Sequence, residues 1–210
     1  MVSEKFMVNS DAGCEAAVKY LGDEFAKENA LSRRDALRLD LLTEETLGMV
    51  RAMLEDFYGQ LWFEGKPGKS EIHLEATARM DKDKKYELLS VSKSGKNAAA
   101  KGFMGRLGEV ISNTLYNFGR VVDVYGRESM EYGVMVPPGI ENPSVYDMTP
   151  VWTLQSYREE LDNQRAENAE ADEAWDELEK SIVANLADDV IVGVKGDCIE
   201  LVIVKKTNKQ

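Results

Sequence analysis

The chain has 210 residues, 43% hydrophobic and 30% charged, the make-up expected of a soluble globular domain with room for a proper core. Its 26 basic and 38 acidic residues leave a net charge of −12, and no Lys/Arg cluster interleaved with aromatics offsets it, which argues against direct nucleic-acid binding. No apolar run approaches the roughly 18 residues of a membrane helix, and the start, MVSEKFMVNSDAG, lacks a basic-then-apolar signal pattern, so a cytoplasmic protein with no membrane partner is expected.

In chain order, EKFMV reads as an edge strand, and Ser10 or Asp11 is placed to cap a first helix whose Val18, Leu21 and Phe25 line one side. A second helix is predicted from Ser32 to Leu54, with Ser32 as cap and Asp35 three residues on, a capping-box pattern. Leu37, Leu41, Glu45, Gly48, Met49 and Ala52 recur at helical spacing, an apolar face interrupted by one carboxylate. An unpaired carboxylate on a buried stripe costs several kcal/mol, so Glu45 and its neighbour Glu44 are the first candidates for chemistry. The alternative is a helix rotated slightly, with both glutamates at its wet edge. Next come QLWFEG, a KPGKS turn and EIHLEATARM, in which Ile72, Leu74, Ala76 and Ala78 alternate with His73, Glu75 and Thr77. That pattern predicts a hairpin of half-buried strands. His73 is the only histidine, so Ser/His/Asp or Cys/His catalysis would have to use it. Its place on the polar face of a strand reads as a solvated residue.

From Lys82 to Phe118 the pattern is helical, interrupted around SGKN. Ser94, Lys96, Lys101 and Arg106 stand there among Gly95, Gly102, Gly105 and Gly108. Either the glycines permit close helix packing, or Ser94, Gly95, Lys96 and Asn97 form an anion-binding loop opening a helix; the spacing is not that of a Walker loop. Residues from Gly119 to Pro150 read as irregular, and the acidic stretch from Arg158 to Glu179 as a solvated helical face. The ending is a helix with Trp175, Leu178, Ile182 and Leu186 on its apolar side, then strands Val190 to Val194 and Ile199 to Val204 around a KGD turn. Cys14 and Cys198 lack metal-ligand spacing and read as small hydrophobes, one near a helix start and one in a strand. No Cys or His cluster points to zinc, and packing is the default role for Trp62, Trp152 and Trp175.

The segment LRLDLLTEETLGMV resembles the N-box helix of the histidine-kinase-like (GHKL, Bergerat-fold) ATPases, and most of all that of the bacterial anti-sigma-factor serine kinases. In that family the helix ends in Glu-x-x-x-Asn, the glutamate serving as general base and the asparagine holding magnesium. Here Glu45 takes the base position with Met49 in place of the asparagine, or Glu44 takes it with Gly48. Neither replacement offers the oxygen a hard cation requires. SIVANLADDVIVGVKGDCIELVIVKK is similar to the family's closing helix and strand hairpin, with Asp188 and Asp189 at the helix exit. The resemblance covers the two ends of the chain and leaves the middle unmatched. It implies an α/β (α+β) two-layer sandwich with a mixed sheet packed on helices. One domain would span residues 1–210, with an irregular and helical insertion at about 82–174.

The nucleotide boxes depart from the family pattern. Where the adenine-binding turn Asp-x-Gly-x-Gly belongs, Asp81 and Asp83 stand in DKDKKYELL without the glycines that let backbone approach a base. Where a glycine box should present free N–H groups to phosphate, the chain has AENAEADEAWDEL. The expectation is a regulatory protein with a degenerate ATP-binding fold and no bound cofactor or metal. Like an anti-sigma factor it would act on a protein partner, such as a transcription or signalling regulator, with little or no ATP turnover; homodimer formation is left open. One alternative is a working protein serine kinase using Mg-ATP, with Glu45 as base and the 94–106 loop on phosphate. Another is a plain interaction domain with no nucleotide role.

Overall fold

The alternation of LWF with IHLEA dictates the centre of the sheet. Strand β2 (Phe57–Lys66) and strand β3 (Lys69–Ala78) pair antiparallel from Phe57 opposite Ala78 to Lys66 opposite Lys69. The turn between them is Pro67 and Gly68: proline supplies a fixed negative φ, and Gly68 takes φ +77, which only glycine adopts without strain. Leu61, Phe63, Ile72, Leu74 and Ala76 then point to one face and are buried, while Trp62, Glu64, Glu71, His73 and Glu75 point to the other. The computed structural model describes residues 1–11, 13–54, 56–78, 150–195 and 198–207.

Around this hairpin the chain places strand β1 (Phe6–Asn9), helix α1 (Glu15–Glu28) and helix α2 (Arg33–Met53) before it. After it come strand β4 (Pro150–Thr153), helices α3 (Leu154–Gln164), α4 (Ala169–Lys180) and α5 (Ile182–Leu186), and strands β5 (Asp189–Lys195) and β6 (Cys198–Lys206). The strand order is β1-β2-β3-β6-β5-β4. Every one of these pairings is antiparallel, so among the described residues the sheet is not the mixed one expected. The helices bury their apolar residues against the face carrying Phe57, Leu61, Phe63, Ile72, Leu74, Val190, Val192, Leu201 and Ile203. Phe25 of α1 stacks on Phe63 with ring centroids 5.4 Å apart, and Gly22 leaves room for that ring. Each such fully buried side chain contributes about 1.5–3 kcal/mol. The architecture is therefore α+β, and among the described residues the helices are layered on one side of an antiparallel sheet.

Several local expectations are corrected. Cys14, not Ser10 or Asp11, is the N-cap of α1, and it makes no side-chain cap hydrogen bond. The closing helix breaks at Ser181: its hydroxyl accepts the N–H of Ala184 at 3.2 Å and starts a new helix. The break resets the buried positions to Val183 and Ala184 and leaves Ile182 exposed. Residues 150–174, which fall within the expected irregular and helical insertion at about 82–174, supply strand β4, helix α3, the start of α4 and the core side chains Leu154, Tyr157, Leu161 and Ala171. Both cysteines are only part-buried: Cys14 Sγ accepts from the Arg51 guanidinium at 3.1 Å, and the Cys198 thiol donates to Glu75 at 3.6 Å.

Candidate functional site

Of the residues that the spacing predicts on the inward face of helix α2, Met49 is buried and Glu45 part-buried, whereas Leu37, Leu41, Gly48 and Ala52 face outward. Ser32 accepts the Asp35 N–H at 3.1 Å, the predicted cap. The buried side is Leu39, Leu42, Leu47, Met49 and Val50, with Thr43 and Thr46 donating their hydroxyls to the carbonyls of Leu39 and Leu42. Leu37 and Leu41 are 55% and 45% exposed, and Gly48 and Ala52 lie on the same outward face. The sequence period was right and its phase was wrong, because this helix has apolar residues on both sides. Glu44 is exposed and Glu45 part-buried at the margin. Met49, in the position of the family's asparagine, is a core side chain at 3% exposure. Apart from the helix's own adjacent backbone, no atom of the described residues lies within 4 Å of where a Cβ on Gly48 would stand.

A second constellation lies on the opposite face of the sheet, where the register sets like charges opposite one another: Lys66 with Lys69, Glu64 with Glu71, and Glu75 with Glu200. Such pairs are unfavourable by themselves, and the long side chains resolve them by interleaving. The Lys66 ammonium donates to Glu71 at 2.7 Å and lies 3.4 Å from Glu64; Lys69 reaches Glu71 at 2.6 Å. Burial pushes the Glu71 carboxyl up, but hydrogen bonds and charge from the two lysines outweigh it and hold it below its ordinary value. The same contact raises Lys66, with the Glu71 hydrogen bond as the largest cause.

His73 sits in the middle of this network and is buried, not solvated as expected. Its Nε2 is 3.2 Å from Glu71 and 3.5 Å from Glu64, and its Nδ1 is 3.7 Å from Glu200. Nδ1 is buried without a hydrogen-bond partner among the described residues. The imidazole stacks on Trp62, centroids 4.9 Å apart and planes inclined by 11°, and Lys5 lies 4.0 Å over the indole. Glu64, Glu71 and His73 each offer a ligand atom, all within 4.8 Å of one another. No pattern along the chain signals this group, since a hairpin register is what brings Glu64 opposite Glu71.

The remaining candidates, Asp81, Asp83, Ser94, Gly95, Lys96 and Asn97, lie outside the described residues. The acidic stretch forms much of α3 and α4, where residues 162–170 are all exposed, and Asn168 and Glu170 occupy the start of α4. No described helix is long and apolar enough to cross a membrane. The sequence matches no known family and no characterised protein.

Proposed function

We propose that the protein is a regulator built on a degenerate ATP-binding-type scaffold, acting through a protein partner with little or no ATP turnover. The observation that carries this reading is the two-faced α2. Where an N-box would hold a magnesium ligand, Met49 is committed to the core, and the outward side of the helix is an apolar stripe of Leu37, Leu41, Gly48 and Ala52. Exposed leucines one turn apart on a helix are groups a protein partner can bury, and a nucleotide phosphate gains nothing from them. The start of α4 supports the same reading. Asn168 accepts the Glu170 N–H at 2.9 Å, and Glu170 and Asp172 fill the first turn with negative charge that disfavours phosphate.

Thermal unfolding with and without magnesium-ATP tests this. A ligand at one hundred times its dissociation constant adds about 2.7 kcal/mol, which for a chain of this size moves the melt by roughly 5–10 °C. No shift in millimolar Mg-ATP, ADP or GTP is expected. A shift of that size would reinstate the protein serine kinase reading.

A further inference from the structure

We propose that Glu64, Glu71 and His73 bind a divalent transition ion of the zinc type, with the Lys66 ammonium holding the cation position until the ion displaces it. Ligand atoms about 2.0–2.1 Å from a tetrahedral metal lie roughly 3.3–3.4 Å apart. His73 Nε2 is already 3.2 Å from Glu71 Oε2 and 3.5 Å from Glu64 Oε2, so two of the three ligand separations are near the required length and the third lies within 4.8 Å. One imidazole nitrogen with two carboxylate oxygens suits zinc, cobalt or iron(II), and leaves a position open to water.

The second observation is the other side of the ring. The His73 side chain is 8% exposed, and its Nδ1 is buried with no hydrogen-bond partner among the described residues, 3.7 Å from Glu200 Oε1. Metal-bound histidines characteristically donate their other N–H to a carboxylate. Once Nε2 binds a metal, the ring proton resides on Nδ1 and faces Glu200, which needs only to close up. Charge points the same way. Among the described residues, Glu64, Glu71 and Glu200 lie around the imidazole, and the ammonium groups of Lys66 and Lys69 are paired with this set. Exchanging Lys66 for a divalent ion adds one positive charge beside these three carboxylates. Lys66 is 36% exposed at the hairpin end, so its stem can swing into water, while Lys69 stays on the other oxygen of Glu71.

This inference does not depend on the regulatory reading. The test is calorimetric titration of the full chain, stripped with chelator, with zinc chloride, and visible absorption of the cobalt(II) form. One zinc per chain is expected, weakened at least about tenfold by Glu71→Gln and about 10–100-fold by Glu200→Gln. Lys66→Met, which removes the competing ammonium and no ligand, should tighten binding at least about tenfold. That variant keeps the test informative if Glu71→Gln unfolds, which circular dichroism reports. Absence of binding at millimolar zinc, or binding that Glu71→Gln and Glu200→Gln leave unchanged in folded protein, overturns the site. Unchanged affinity in Lys66→Met overturns the displacement by which it is filled.

Discussion

Single residues in this chain have opposite tolerances that the local geometry decides. At Gly59 a methyl would fall inside contact distance of the Glu75 carbonyl and 2.9 Å from the Cα of Ala76, backbone that cannot yield without breaking the β2–β3 ladder. Gly59→Ala is therefore expected to cost about 2–4 kcal/mol in chemical denaturation. Gly48, in an exposed turn of α2 with nothing beyond its own helix near its Cβ position among the described residues, is the reverse case. Gly48→Ala removes a helix-propensity penalty of about 0.8–1.0 kcal/mol and should raise the melting temperature by roughly 2–4 °C. Asp188 carries the pH dependence of the last hairpin. Burial pushes its carboxyl up, but the Lys205 ammonium and the Lys206 N–H, both at 2.7 Å, outweigh it and hold it below its ordinary value. A depressed folded value means stabilisation that is complete above the unfolded pKa, about 3.9, and is lost as pH falls through the folded one. Asp188→Asn should then lower stability at neutral pH by about 1–2 kcal/mol and flatten the acid limb of the stability curve. An acid limb identical to the wild type would contradict that assignment.

Among the elements, α2 best separates what can be read along the chain from what cannot. Its start was legible, because Ser32 and Asp35 obey local rules that hold whatever the helix packs against. Its buried face was not, because Leu37, Leu41, Gly48 and Ala52 repeat as well as Leu39, Leu42, Leu47 and Val50 do, and only the tertiary neighbours choose between two apolar stripes. The break at Ser181 escaped detection for a related reason: a serine within an apolar helical pattern becomes a cap only when packing demands a new direction. The two faces of α2 make a direct prediction. Leu42→Ala, on the buried side, should cost about 2–5 kcal/mol, while Leu37→Ser and Leu41→Ser should each stay within about 0.5 kcal/mol of the parent in denaturant titrations. Comparable losses on both sides would mean that the outward stripe is buried within the chain, and would remove the proposed partner surface. The carboxylate–histidine cluster was illegible for a different reason. Glu64, Glu71 and His73 alternate with core residues as any half-buried strand would, and their convergence depends on a two-residue turn fixing the register.

At the scale of the whole molecule, three of the described strands come from the N-terminal half and three from the C-terminal half, and among the described residues these strands meet where β3 pairs with β6. The hairpins within each half were legible, since each is local and has its own turn signal at Pro67–Gly68 or around the KGD sequence. The seam was not, because long-range pairing leaves no mark in either partner, and the mixed sheet expected by resemblance gave way to an antiparallel one. Leu74 opposite Leu201 and Ile72 opposite Ile203 close this seam, and all four are at most 1% exposed. Neither half can bury its sheet face alone, so the two should unfold together in a single transition. Leu201→Ala is then expected to cost about 2–5 kcal/mol and to lower the apparent stability of amides in β2 as much as in β5, as read by native-state hydrogen exchange. Amides of β3 and β6 should exchange slowest, and those of the edge strands β1 and β4 fastest. Independent melting of β1–β3 while β4–β6 stays protected would show that the seam is a contact between two separately stable halves. The sheet, and with it the Glu200 side of the histidine cluster, would then be assembled after each half has folded.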